Sequence, residues 1–140
     1  GRSAMLISPQ DLLAKVKADT AAVLVVNFWK TDCLACITLQ QHLQNLQNKN
    51  GDEKIYLLAV NLDDEANAAS VNLVLRKAGI AADVLQVKKV TDSNWRNDFS
   101  GGWQGTVPAV FIQSKDGLKQ FHPRVLSEDE LGAMLEPLLL

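Results

Sequence analysis

The sequence contains only two cysteines, Cys33 and Cys36, among its 140 residues. Two are too few for the disulfide framework of a small secreted domain, and they leave the redox compartment open. The chain also lacks a long hydrophobic run, since no apolar stretch approaches the ~18 residues that a membrane-spanning helix needs. A disulfide-stapled scaffold and a membrane span are therefore excluded.

The chain also lacks a large excess of positive or negative charge. Fourteen Lys and Arg stand against sixteen Asp and Glu, which gives a formal net charge of −2. This balance provides no basic field for nucleic acid and no polybasic patch for a membrane surface. With 47% hydrophobic residues, residues 1–140 are enough for a single domain with its own core, and we expect a monomer.

The N-terminal segment Gly1–Met5 reads G-R-S-A-M. It is typical of a cloning remnant and does not have the pattern of a targeting signal. A native signal peptide or membrane anchor could therefore have preceded it.

The stretch from Val23 to Cys36 reads V-L-V-V-N-F-W-K-T-D-C-L-A-C. Its first part has the composition of a fully buried strand. After the cysteines, apolar residues recur at roughly helical spacing (Leu34, Ile37, Leu43 and Leu46). The sequence therefore predicts a strand at about 22–29 and a helix that begins near Cys33 and ends near Gln47.

A C-x-x-C pair between a strand and a helix suits dithiol–disulfide exchange. Cys33 would lie at the helix N-terminus, where unpaired N–H groups and the helix dipole favour a thiolate. Cys36, one turn further, would lie on the same face and could attack a mixed disulfide formed at Cys33.

Two other interpretations of the cysteines remain open. The pair could be half of a zinc site, but such a site needs four ligands and the sequence has no second C-x-x-C. The only histidines are His42 and His122. A purely structural disulfide is the other alternative, although closing so short a loop constrains the unfolded chain little.

Strands and helices alternate along the rest of the chain, which predicts a parallel β-α-β unit with a right-handed crossover. Gln and Asn residues on the C-x-x-C helix are interpreted as solvated surface. The segment 80–90 favours an edge strand or a packed loop. The other predicted elements are a helix from Ser8-Pro9, a strand at Ile55–Leu62, a helix capped by Asp63 or Asp64 that ends near Ala78, a short helix near Ser93–Phe99, a strand at Thr106–Gln113, a hairpin partner at Leu118–His122, and a final helix capped by Ser127.

This order of elements resembles the thioredoxin fold, an α/β fold in which helices flank a central mixed sheet. Two motifs carry the resemblance: F-W-K-T-D-C-L-A-C at Phe28–Cys36 and T-V-P at Thr106–Pro108. The N-F-W before the cysteines and the longer segment between the second and third main strands resemble the TlpA/ResA-type thiol–disulfide oxidoreductases.

The resemblance implies a site made of several segments. Pro108 would follow a cis peptide bond and pack beside the cysteines, and the main chain of Val107 would then pair with an extended substrate. Cys33 would be the attacking thiolate and Cys36 the resolving thiol. Trp29 is expected to be a packed wall below the site, with substrate contact as a lesser role.

Three departures from the family pattern concern the reactivity of the thiols. Asp32 stands before the first cysteine, where a large side chain is usual, and its charge should raise the pKa of Cys33. Lys30 would offset part of this effect if its side chain points towards Cys33, which the sequence does not determine. Leu34 and Ala35 stand between the cysteines without the usual proline. Asn27 stands where thioredoxin has a buried acid, so another group or water must serve Cys36.

The sequence therefore predicts a reductase that exchanges disulfides with protein substrates. It implies no dissociable cofactor and no metal, because the electrons come from an upstream partner dithiol. A bacterial periplasmic or otherwise extracytoplasmic location fits the resemblance, with the cytoplasm as the alternative. A protein that binds copper(I) through Cys33 and Cys36 is the alternative function, because soft thiolates suit that ion.

Overall fold

A six-stranded mixed sheet forms the centre of the computed structural model, which describes residues 3–140. Gly1 and Arg2 of the proposed cloning remnant lie outside the described residues. The strands, in spatial order β1-β4-β3-β2-β5-β6, are β1 (Met5–Ile7), β2 (Val23–Trp29), β3 (Ile55–Asn61), β4 (Asp83–Val87), β5 (Ala109–Ser114) and β6 (Lys119–His122). The α-helices are α1 (Pro9–Ala18), α2 (Leu34–Asn50), α3 (Ala68–Ala78) and α4 (Glu128–Leu135).

The strand directions confirm the predicted β-α-β unit. β2 is parallel to β3, β3 to β4 and β4 to β1, whereas β5 is antiparallel to β2 and β6 to β5. All seven residues of β2 are buried, as expected for a central strand covered by helices on both faces. The predicted α/β fold with a mixed sheet flanked by helices is therefore confirmed.

Alternation along β2 divides the core into two layers. Val23, Val25 and Trp29 belong to the layer that contains Cys36 and the buried leucines of α2. Leu24 and Phe28 point to the opposite face, because successive side chains of a strand alternate. Consequently Asn27, between two residues of the second layer, faces the helix that carries the cysteines.

Aromatic rings fill the second layer. Phe28 packs edge-on against Phe99 at 5.0 Å between ring centroids and lies 4.6 Å from the Trp103 ring. Trp95 is partly buried and packs against the same cluster. Trp95 and Trp103 thus pack within this second layer.

Two features of the sheet differ from the sequence prediction. β4 is not an edge strand, because β1 pairs with it through Met5–Leu85 and its neighbours. Met5, assigned to the N-terminal remnant, is the first residue of that covering strand. β5 begins at Ala109 rather than at Thr106, since Pro108 has no N–H to donate to a ladder.

The ends of the helices follow local capping chemistry. Ser8 caps α1 by accepting the N–H of Asp11, and Ser127 caps α4 as predicted, in a capping box with Glu130. α3 ends at Gly79, whose φ of 63° is left-handed, a conformation that glycine adopts without steric cost. Among residues 3–140, no helix is both long enough and apolar enough to cross a membrane.

Candidate active site at the Cys33–Cys36 disulfide

A disulfide joins Cys33 and Cys36 at the junction of β2 and α2, with the two Cα atoms 5.3 Å apart. Cys33 is the N-cap of α2, and its Sγ accepts the N–H of Cys36 at 3.1 Å. A turn leads into the helix, in which the N–H of Cys33 donates to the carbonyl of Lys30 at 3.1 Å. The first sulfur therefore lies where helix N–H groups stabilise negative charge.

The two cysteines differ sharply in burial. Cys33 is partly exposed, whereas Cys36 is 0% exposed and belongs to the core layer under α2. Leu34, between them, is 77% exposed, so it is not part of the buried helix face that its spacing suggested. A substrate approaching from solvent can reach only the Cys33 side of the disulfide, with an exposed leucine beside it.

The Val107–Pro108 peptide bond is cis, as the family resemblance implies. The β2–β5 ladder ends with the pair Phe28–Ala109. Val107 therefore lies just before β5, outside its paired residues. Its side chain packs against the core layer that contains Cys36.

A pair of buried amides lies beneath Cys36. Asn27, 1% exposed, donates from Nδ2 to the carbonyl of Cys36 at 3.2 Å and to Oε1 of Gln40 at 3.0 Å. Gln40, 2% exposed, in turn donates to Gln44 at 3.4 Å. Asn27 Oδ1 is buried and has no partner among the described residues. The position next to Cys36 is thus occupied by neutral amides, with no ionisable side chain in these contacts.

Gln40 corrects the interpretation of the α2 glutamines as solvated surface. It lies on the buried face with Cys36, Leu39 and Leu43. Its spacing of four residues from Cys36 indicates this face. The sequence analysis placed Gln40 on the solvated face because its side chain is polar. Its buried partner, Asn27 on β2, is brought next to it only by the tertiary structure.

Asp63 holds the loop before the cysteines and was not identified as a site residue from the sequence. Its carboxylate accepts the N–H of Thr31 at 2.9 Å and the Thr31 hydroxyl at 3.2 Å. Asn61, 0% exposed at the end of β3, also donates to it at 2.9 Å. Neither aspartate caps α3 as predicted: Asp64 caps the short 3₁₀ turn Glu65–Asn67 by accepting the N–H of Ala66, and α3 begins after it at Ala68 without a side-chain cap. No sequence pattern distinguishes the two neighbouring aspartates.

We expect Asp63→Ala to slow disulfide exchange, because the loop that positions Cys33 loses both hydrogen bonds that Thr31 donates to Asp63. The lost hydrogen bonds should also lower the free energy of unfolding by about 1–2 kcal/mol. Asp64→Ala is the matched control, since it removes the same charge and a cap worth ~1 kcal/mol but no contact with the loop. Equal exchange rates in the two variants, measured with one disulfide peptide, would contradict a positioning role for Asp63.

The remaining residues predicted for the site are distributed around the disulfide. Trp29 is 2% exposed and belongs to the same core layer as Cys36, and its role as a wall below the site stays a prediction. Its substrate contact stays a prediction that requires the ring to become accessible. Lys30 is partly exposed, and Asp32 is exposed and in no ion pair within residues 3–140. The effect of each charge on Cys33 also stays a prediction.

The side chains whose pKa departs from its ordinary value, Tyr56, His122 and Glu130, are not among the residues in contact with the cysteines. Burial, together with a 2.8 Å hydrogen bond to Asp83, raises the pKa of Tyr56 well above its usual range at the far end of β3. Burial and the neighbouring Arg124 lower the pKa of His122 on the outermost strand. Tyr56 and His122 therefore do not contribute to the chemistry of the candidate site. The groups next to the cysteines are the N-terminus of α2 and the amides of Asn27 and Gln40.

These elements define the class of protein: a thioredoxin fold with a C-x-x-C disulfide at its first long helix and a cis-proline loop beside it. The sequence matches no family model and no curated protein. The similarity to known proteins is therefore found by comparing structures.

Several solved structures of thiol–disulfide proteins share this fold. A thioredoxin-related protein from Neisseria meningitidis serogroup B superposes with a TM-score of 0.73 at 15% identity, covering 88% of this chain and 89% of that one. A putative thiol:disulfide interchange protein DsbE from Chlorobium tepidum gives 0.66 at 19%, covering 89% and 85%. A secreted Mycobacterium tuberculosis disulfide oxidoreductase homologous to E. coli DsbE gives 0.61 at 16%, covering 83% and 81%. At these identities the likeness shows the fold.

Proposed function

We propose that the protein is a thiol–disulfide oxidoreductase that reduces disulfides of protein substrates. The observation that carries the proposal is the difference between its two cysteines: a partly exposed Cys33 at the N-cap of α2 and a fully buried Cys36 one turn further. In this arrangement the substrate can contact the sulfur of Cys33, whereas the sulfur of Cys36 is shielded and reacts only in the second step.

The reaction has two exchange steps. In the reduced protein the Cys33 thiolate attacks one sulfur of a substrate disulfide, which forms a mixed disulfide and releases the other substrate sulfur as a thiolate. Cys36, after losing its proton, then attacks Cys33 Sγ and releases the second substrate thiolate. Two electrons pass to the substrate, and the protein ends as the Cys33–Cys36 disulfide. A partner dithiol supplies two electrons to reduce it again.

The protein groups have distinct roles in these steps. The N–H of Cys36, 3.1 Å from Cys33 Sγ, stabilises the attacking thiolate. The Val107 main chain, beyond the paired part of β5, binds the substrate as a short added strand. The exposed Leu34 adds an apolar contact beside the scissile bond. Neither step requires a metal or a dissociable cofactor.

Deprotonation of Cys36 is the step in which this site differs from its family. The groups in contact with the helix turn at Cys36 are the amides of Asn27 and Gln40, and an amide does not accept a proton near neutral pH. We propose that water or the departing substrate thiolate takes the proton. The pH dependence of the rate of the second step should therefore contain no ionisation of a buried carboxyl group.

We place the protein in an extracytoplasmic compartment, acting as a monomer formed by the single domain 1–140, with protein disulfides as substrates and an upstream dithiol as donor. The secreted M. tuberculosis oxidoreductase of the same fold supports the location. Fractionation of cells that express the full-length gene product would test it.

The reduction potential of the Cys33–Cys36 couple tests the proposed direction. A reductase should lie near the potentials of thioredoxins and glutaredoxins, about −200 to −270 mV, whereas a value near about −120 mV would indicate an oxidant. For a reductase, a potential in this range must be accompanied by turnover of a disulfide peptide by the reduced protein. Absence of turnover, together with stoichiometric copper(I) binding in an anaerobic titration, would favour a metal-binding protein instead.

We expect Asp32→Asn to lower the pKa of the Cys33 thiol and to make the potential less negative. The exposed carboxylate of Asp32 opposes the adjacent thiolate, so removing it stabilises the reduced form. Absorbance titration of the reduced variant and of native protein measures the effect, which should shrink as salt screens the charge. An unchanged Cys33 pKa at low salt would mean that Asp32 does not influence the thiol.

A further inference from the structure

A cleft of about 340 Å³ opens at the carboxyl ends of the parallel strands β2, β3 and β4. Lys30, whose carbonyl holds the N–H of Cys33, forms one wall. Gln104 and Gly105, just before the Val107–Pro108 bond, form another. The cleft is therefore bordered by both chain segments that build the candidate active site.

The cleft is positively charged in an acidic protein. Four cationic and two anionic side chains line it, namely Lys30, Lys88, Lys89, Arg96, Asp63 and Asp64. Its net charge is thus +2, while the remaining residues, ten basic against fourteen acidic, carry −4. Within residues 3–140, none of these four cations takes part in an ion pair.

The cationic groups differ in how firmly they are held. Arg96 donates from Nη1 to the carbonyl of Gln104 at 2.6 Å and from Nε to the carbonyl of Ser93 at 3.3 Å, which fixes its guanidinium without neutralising it. Lys88 and Lys89 are exposed directly after β4; the Glu65 carboxylate accepts the main-chain N–H of Lys89 at 3.3 Å, and the two ammonium groups form no ion pair within residues 3–140. Asp63 is already engaged by Thr31 and Asn61.

An apolar surface completes the cleft, formed by Leu62, Val87, Val90 and Trp95. Cationic groups around an apolar floor suit a peptide segment with acidic side chains better than a small inorganic anion, which has no apolar part to bury. The volume lies at the lower end of the range for ligand sites, about 300–1,000 Å³, which is enough for a few side chains.

We propose that this cleft binds an acidic segment of the substrate protein next to the cysteine that Cys33 attacks. The inference rests on the proposed function and adds a substrate class to it: protein disulfides flanked by Asp or Glu. Complementary charges then orient the segment and raise the rate of encounter.

The test uses three disulfide peptides that differ only in the two residues flanking one cysteine, Glu-Glu, Gln-Gln or Lys-Lys. Each kcat/KM with the native protein is divided by the rate of the same peptide with dithiothreitol, which corrects for the peptide's own reactivity. At low salt the acidic peptide should exceed the neutral one about fivefold, corresponding to ~1 kcal/mol, the scale of two exposed ion pairs. The preference should decline as the Debye length falls to about 10 Å at 0.1 M salt.

The double variant Lys88→Gln/Lys89→Gln should lose most of this preference. The matched control Lys115→Gln/Lys119→Gln removes the same charge at the opposite end of β5 and should keep it. Equal rates for acidic and neutral peptides at low salt, or equal losses in the two double variants, would overturn the inference while leaving the exchange activity intact. If none of the peptides is reduced, the proposed function itself fails. If the Lys88→Gln/Lys89→Gln variant does not fold, the salt dependence of the native protein's preference for the acidic peptide still tests the inference: a preference that does not change with salt would overturn it.

Discussion

The Cys36→Ser variant should accumulate a mixed disulfide between Cys33 and its substrate. Attack by Cys36 is the step that releases the substrate, so its loss stops the reaction after the first exchange. Cys33→Ser should trap little, because the remaining sulfur at position 36 is 0% exposed. We expect a difference of roughly tenfold or more in trapped partner, since exchange requires an accessible thiolate.

Non-reducing electrophoresis and mass spectrometry after acid quenching measure the trapped species. Cys36→Ala serves as a second trapping variant, because a buried serine hydroxyl without a partner costs about 1–3 kcal/mol. The double variant Cys33→Ser/Cys36→Ser controls for adducts that do not involve cysteine. Comparable trapping by the two single variants would show that the division of roles between the sulfurs is wrong.

Gln40→Leu should destabilise the protein by about 1–3 kcal/mol, the cost of leaving a buried N–H unpaired. Of the two N–H groups of Asn27 Nδ2, one loses its Gln40 acceptor, now 3.0 Å away, while the other keeps the carbonyl of Cys36, and the amide remains buried. Denaturant unfolding of the oxidised protein, with an unchanged m-value, measures the loss.

Gln41→Leu is the matched control, because it makes the same substitution at the next, exposed position of α2 and should change stability by no more than about 0.5 kcal/mol. In the variant Asn27→Leu/Gln40→Leu both amides are removed together. Its loss should be smaller than the sum of the single losses by about 0.5–3 kcal/mol, the coupling expected of directly bonded residues. Additive losses would mean that the two amides do not act as a pair.

The sequence by itself determined the C-x-x-C pair between a strand and a helix, the parallel β-α-β unit and most of the other strands and helices, although it missed β1. These follow from local signals: a buried-strand run up to Trp29, Ser-type caps at Ser8 and Ser127, and glycine at the helix end Gly79. The cis bond before Pro108 was expected only through the family resemblance, because only about 5–6% of X–Pro bonds in folded proteins are cis.

The tertiary structure alone decided which polar residues belong to the site. Gln40 and Asp63 are separated from Asn27 and Thr31 by 13 and 32 residues, and only the folded sheet brings each pair into contact. The cationic cleft likewise joins Lys30 with residues of β4 and with the loop before Pro108. Local patterns act over a few residues along the chain, whereas hydrogen bonds and charges act through space, so the surroundings of the cysteines became visible only in the fold.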